Sequence, residues 1–163
     1  MKEKLALYGD VLENVSLKEY NTFRIGGLCH YMISPFTVLD LQNLLSFLQL
    51  QHICYFVLGN GSNVIFSDDF FEGVVIRLNH FDQIEFSGLR VNAEAGVLLP
   101  KLASLSIQQS LTGLEWAIGI PGTVGGSVFG NAGAYNSCIF DLLEQVTVLT
   151  MQGEIQNLKK DEI

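Results

Sequence analysis

Apolar residues recur along this chain in two periods, and the switches between them divide it into short elements. From Val38, the positions Leu41, Leu44, Leu45 and Leu48 fall three and four residues apart, the spacing of one helix face, and this is the clearest amphipathic helix in the sequence. Thr37 is placed to cap it, with Ser34 followed by Pro35 at a first helical position as the competing start. A second helical period runs through Leu98, Leu102, Leu105, Ile107 and Leu111, tolerates Pro100 in its first turn and stops at Thr112-Gly113. Strand-length apolar runs cover residues 28–33, 53–58, 64–66 and 73–78. Residues 83–86 and 89–93 flank Ser87-Gly88 as a hairpin, and 142–150 pairs with 154–158 across Gln152-Gly153. Residues 1–19 mix charges with scattered Leu and Val and read as a short helix or a loosely docked arm. Strands and helices mix without strict βαβ alternation, which predicts an α+β fold in one or two small lobes.

Composition narrows the partners. A chain of 163 residues with 48% hydrophobic residues suffices for a packed core. The formal charge is −8, and the nine basic residues are scattered apart from Lys159-Lys160, which argues against nucleic acid and against an anionic membrane surface. No apolar run approaches the roughly 20 residues that span a bilayer, and the N-terminus lacks the apolar core of a signal peptide, so the expectation is a cytoplasmic protein with no membrane partner. Cys29, Cys54 and Cys138 are an odd number at wide spacing and fit reduced core thiols better than a disulfide framework. His30, His52 and His80 stand apart from any second ligand, and Asp68, Asp69 and Glu72 read as a solvated turn, so no metal site is expected.

Glycine carries the candidate chemistry. The stretch Gly119-Ile-Pro-Gly-Thr-Val-Gly-Gly-Ser-Val-Phe-Gly-Asn-Ala-Gly-Ala-Tyr135 puts six glycines in seventeen residues, with apolar side chains between them. It reads as a partly buried loop whose bare N–H groups need an acceptor, an anionic ligand being the natural one. Ser127 within it lacks the GxSxG form of a nucleophile elbow. A second run, Gly59-Asn-Gly-Ser-Asn63, follows a strand; Val64 stands where a dinucleotide fingerprint needs its third glycine, and a hairpin turn of the Asn-Gly type is the competing reading. Both runs carry amide or hydroxyl side chains, Asn60, Ser62 and Asn63 in one, Thr123, Ser127 and Asn131 in the other. Two such loops suit the two sides of a pyrophosphate, and with so few cations, backbone N–H groups must do most of the holding.

These runs, with Asn21-Thr22-Phe23, Gly26-Gly27, Ala95-Gly96 and Gly113-Leu-Glu115, keep the order and spacing of a known family. From Tyr20 onward the chain closely resembles the UDP-N-acetylenolpyruvoylglucosamine reductase (MurB) family, in the branch whose long loop reads IPGTVGG; Gly130 departs from it, a larger residue such as Met being expected there. The resemblance implies an FAD-binding fold of the vanillyl-alcohol-oxidase (PCMH) type, with a first α+β lobe over residues 1–78, a second over 79–163, and the flavin dinucleotide held between them. It implies that Gly59, Asn60, Gly61, Ser62 and Asn63 bind the pyrophosphate from the first lobe and Pro121, Gly122, Thr123, Gly125, Gly126 and Ser127 from the second. Asn131, Gly133 and Tyr135 would line the path to the isoalloxazine. NADPH is the reductant in the family and a UDP-sugar enolpyruvate the substrate, in the synthesis of peptidoglycan. The family's Tyr-Arg motif, Ser proton donor and C-terminal Glu have no counterpart here, so the expectation is a truncated FAD-binding portion with no catalytic residue of its own, inactive alone and prone to self-association. Another PCMH-type flavin oxidoreductase, or a non-catalytic flavin-binding module, are the alternatives.

Overall fold

The computed structural model describes residues 1–163, which form two compact units of mixed α and β structure, Met1–His80 with Thr150–Glu154, and Phe81–Leu149 with Ile155–Ile163. The first unit holds β1 (Gly9–Ser16), β2 (Leu28–Pro35), β3 (Tyr55–Val57) and β4 (Phe71–Ile76) in the order β1-β2-β4-β3, with α1 (Lys2–Leu5) before β1 and α2 (Val38–Leu50) between β2 and β3. β1 runs antiparallel to β2, whereas β4 is parallel to both β2 and β3. Parallel strands are buried on both faces, which is why β2 and β4 read as continuous apolar runs. On one face Ile33, Val74 and Ile76 are buried, and α2, packed on β2, buries Leu44 and Leu48 completely. The other face carries Val15, Leu17, Cys29, Met32, Leu58 and Val75, with Tyr20, Val64, Phe66 and Phe71 packed against them.

Thr37 caps α2, its hydroxyl accepting the Asp40 N–H at 3.1 Å, while Ser34 and Pro35 finish β2; the competition between the two starts is settled by the strand. The 150–154 turn docks on this helix, where the Gln42 side chain donates to the Gly153 carbonyl at 2.7 Å and Gln49 donates to that of Met151.

Three expectations for this unit change. Residues 9–16 form an edge strand rather than a helix or arm; half-exposed edge positions and Asn14 at φ 52° blur its alternation. Residues 64–66 are not a strand: Val64 and Phe66 pack onto the core while Ile65 stays 71% exposed, so the alternation records packing without a ladder. Residues 59–63 are no hairpin turn, because the strand that follows lies parallel to the one before. Of the cysteines, all free, only Cys29 is buried; Cys54 is exposed just before the short edge strand β3.

The second unit begins with the hairpin β5 (Ile84–Ser87) and β6 (Arg90–Ala93), followed by α3 (Leu99–Gln108) and a 3₁₀ turn (Glu115–Gly119). Next come α4 (Val124–Phe129), the ribbon β7 (Gly133–Ala134) and β8 (Ser137–Cys138), α5 (Ile139–Leu142), and the hairpin β9 (Gln145–Leu149) and β10 (Ile155–Lys159). Its core gathers Val97, Leu99, Leu102, Ala103, Leu114, Trp116, Ala117 and Ile139. The glycine-rich stretch, expected as a loop, contains a helix: Thr123 caps α4 by accepting the Gly126 N–H at 3.2 Å, and the capped turn sits flush on the chain before α3. α5 is held at its start by the Asp141 carboxylate, which accepts the Cys138 N–H at 2.9 Å; that bond, aided by Lys160, keeps its pKa below the usual carboxylate range.

Truncating Leu44 to Ala should destabilise the first unit by about 2–5 kcal/mol, read as a shift in the urea midpoint at constant m-value. Because the folded-state pKa of Asp141 is depressed, its stabilisation is present in full above about pH 4 and lost as pH falls through the lowered value. Acid titration of Asp141→Asn by circular dichroism should show a shallower loss of stability below pH 4 than the unsubstituted chain.

Candidate functional site

The site grows out of strand direction. β3 and β4 are parallel neighbours, so the chain must cross back over the sheet between them, and it does so through residues 58–70 without a helix. Parallel crossovers are usually helical, and a helix satisfies its own amides. This one leaves amides without backbone acceptors at the carboxyl end of β3, where open parallel sheets bind ligands. The N–H groups of Gly59, Asn60, Gly61 and Asn63 donate to no backbone carbonyl, although Leu58 just before them bonds to the Ile76 carbonyl at 2.8 Å.

The loop is nevertheless held rigidly. Its Gly61 carbonyl accepts the Thr22 N–H at 3.0 Å. Asn21, buried, ties that neighbouring segment together by donating its side-chain amide to the Leu17 and Ile25 carbonyls, both at 2.8 Å. Gly61 itself sits at φ +69°, and a Cβ there would lie 1.9 Å from the Tyr20 carbonyl oxygen. Glycine at this position lets two backbones touch, and the contact turns the loop amides into a fixed cradle. Asn21-Thr22 is legible in the sequence as a polar turn, but its role as the brace of the 59–63 loop is not, because the two segments meet only in the fold.

In the second unit the glycines divide by role. The Val124 and Gly125 amides donate to the Val97 and Ala95 carbonyls at 2.8 and 2.9 Å, the Gly126 amide to Thr123 Oγ1, and the Ser127 amide to the Thr123 carbonyl at 2.8 Å. A Cβ on Gly125 would meet that of Ala95 at 2.9 Å, so this glycine serves close packing. The Gly122 and Thr123 amides donate to neither a backbone nor a side-chain acceptor, and Ser127 is buried. Further on, Asn131 accepts the Phe140 N–H through its side chain at 3.3 Å. Gly133 lets the β7–β8 ribbon close, since a Cβ there would lie 2.6 Å from the Ser137 carbonyl oxygen. Tyr135 and Asn136, both at positive φ, form the tip of that ribbon in the manner of a type I′ turn, with Tyr135 88% exposed.

What the arrangement offers is a set of directional N–H donors, suited to phosphate oxygens. No group of three or more His, Cys, Asp or Glu side chains is positioned to hold a metal ion. Burial raises the Cys29 pKa and keeps it a thiol, and His80 rests against the Asp10 carboxylate at 2.9 Å.

A family model described as an FAD binding domain matches residues 30–159. The chain belongs to the FAD-binding domain family. The matched residues take in both glycine-rich segments and reach into both units. UDP-N-acetylenolpyruvoylglucosamine reductase of Clostridium novyi (strain NT) is 38% identical over 154 residues, which are 94% of this chain and 50% of that protein. Among solved structures, UDP-N-acetylenolpyruvylglucosamine reductase (MurB) from Thermus caldophilus superposes with a TM-score of 0.81 at 34% identity, over 95% of this chain and 54% of that one. The 6-hydroxy-D-nicotine oxidase of Arthrobacter nicotinovorans shares the fold alone, with a TM-score of 0.68 at 16% identity over 94% of this chain and 36% of that one. The α+β, vanillyl-alcohol-oxidase-type flavoprotein fold is thereby borne out, as is the likeness to the N-terminal part of MurB. The chain spans about half the length of the curated relatives it matches.

Gly61→Ala should cost more than the ~1–2 kcal/mol of left-handed strain, because the Tyr20 backbone must also move. Gly119→Ala, where a Cβ meets nothing within 4 Å, should stay within ~0.5 kcal/mol of the parent in the same denaturation experiment.

Proposed function

We propose that the chain is the FAD-binding portion of a UDP-N-acetylenolpyruvoylglucosamine reductase, which uses NADPH to reduce UDP-N-acetylglucosamine enolpyruvate to UDP-N-acetylmuramate for peptidoglycan. The observation that carries the reading is the braced 59–63 loop, whose amides lack backbone acceptors, inside a chain that matches the FAD-binding domain. These residues fit a diphosphate: the donors are backbone groups without backbone acceptors, in a loop fixed by the Tyr20 and Thr22 contacts. Bound FAD supplies hydride transfer.

The chain's own residues bind and orient. In the first unit the amides of Gly59, Asn60, Gly61 and Asn63 hold phosphate oxygens, joined by Ser62. In the second unit, Gly122 and Thr123, after Pro121, would offer amides of their own to an anion, while Gly125, Gly126 and Ser127 set the backbone that presents them. Asn131 and Tyr135, the latter exposed at the tip of the ribbon that Gly133 allows to close, would line the path to the flavin ring. Protonation of the UDP-sugar belongs to groups outside these 163 residues, so this chain contributes cofactor binding and no acid–base step. A cytoplasmic location belongs to the same reading, and no helix is long and apolar enough to cross a membrane. Self-association does as well, through the open edges of the two-stranded β9–β10 sheet.

Titration of the apo chain should give saturable binding with FAD preferred over FMN, and no reduction of the UDP-sugar by NADPH. A folded chain that binds no FAD would overturn the reading.

A further inference from the structure

The first unit contains a part-buried cation without a counter-ion. Arg77 follows β4 directly, at the carboxyl end of the sheet where β3 opens into the 59–63 loop; its N–H bonds to the Ile33 carbonyl at 2.8 Å, beside the bond from Leu58 to Ile76. Strand alternation puts its side chain on the face of Val75, among the residues that Tyr20 covers. There the guanidinium carbon stands 5.0 Å from the Tyr20 ring centroid. Tyr20 in turn presses its carbonyl against Gly61, so this one residue touches Arg77 through its ring and the loop through its backbone.

Arg77 lacks what buried arginines ordinarily have. Its Nε is buried with no hydrogen-bond partner. The Lys2–Glu13 and Arg90–Glu144 ion pairs and the His80–Asp10 contact do not involve Arg77. Seventeen acidic residues and a net charge of −8 make that omission informative: carboxylates are plentiful and this guanidinium is kept from them. Burial pushes its pKa below the usual arginine range, yet arginine stays protonated in proteins, so a positive charge is held in a partly dry place. The Tyr20 ring offsets part of that cost, and an anion arriving with a ligand would offset the rest.

We propose that Arg77, backed by Tyr20, completes the cradle of the 59–63 loop by donating from its guanidinium to a diphosphate oxygen of bound FAD. This rests on the FAD reading above and adds a side-chain cation to a site otherwise built from backbone donors. The fork geometry of the guanidinium suits two phosphate oxygens, which a lysine ammonium cannot match.

The test is FAD titration of the unsubstituted chain, Arg77→Gln and Arg77→Lys over a series of salt concentrations, with circular dichroism as the check on folding. Arg77→Gln should weaken FAD binding about ten- to a hundredfold and flatten its salt dependence; Arg77→Lys should recover part of the affinity and keep the slope. Binding by Arg77→Gln within about twofold of the parent would overturn the proposal, as would a loss with an unchanged salt slope, which would mean that Arg77 only supports Tyr20. Both leave the FAD reading standing, whereas an unsubstituted chain that binds no FAD removes both. Should Arg77→Gln not fold, the Arg77 Nε–H resonance of the unsubstituted chain decides: it should shift on addition of FAD, and a resonance that stays in place at saturation overturns the proposal.

Discussion

The parallel pairing of β3 with β4 is the constraint on which the candidate site depends. An antiparallel partner could have been reached by a two-residue turn whose amides bond across the hairpin. A parallel partner forces the chain back across the sheet, and here that return is made by residues 58–70 without a helix to absorb their N–H groups. The backbone donors that a dinucleotide needs are therefore a by-product of strand direction. Asn21 and the Gly61–Tyr20 contact then stop the loop from relaxing into some other set of bonds.

The second unit meets a similar demand by different means. Its glycine-rich segment is not an open loop but a short capped helix pressed onto the chain that precedes α3. The close approach of Gly125 to Ala95 explains a glycine in a helix, where its entropy would ordinarily count against it. Most amides of that helix start are satisfied inside the unit, which leaves the residues just before it, Gly122 and Thr123, as the ones with bonding capacity.

Charge follows from the same economy of side chains. A chain with nine basic residues and a net charge of −8 does not attract phosphates by its overall field, so local donors must do so at short range. Backbone amides satisfy that requirement without changing the net charge. Arg77 is consistent with it, a single cation sheltered beneath an aromatic ring and out of reach of the acidic surface.

Much of the first unit is legible in the sequence, because α2, β2 and β4 carry strong periodic or continuous apolar signals and Thr37 marks a helix start in its own side-chain chemistry. The two glycine-rich segments are legible too, since glycine at that density has few purely local explanations. Other features depend on neighbours far along the chain. β1 became a strand because β2 offered it a ladder, and 64–66 did not because nothing did. The helix at Val124–Phe129 exists because Ala95 and Val97 lie against its first turn. Arg77 looks in sequence like the polar end of an apolar strand; only packing put Tyr20 over it and left it without a carboxylate. Local pattern determined which segments form regular structure and where backbone is bare, whereas strand direction and long-range contact, which no window of sequence contains, decided which bare amides stay open to a ligand.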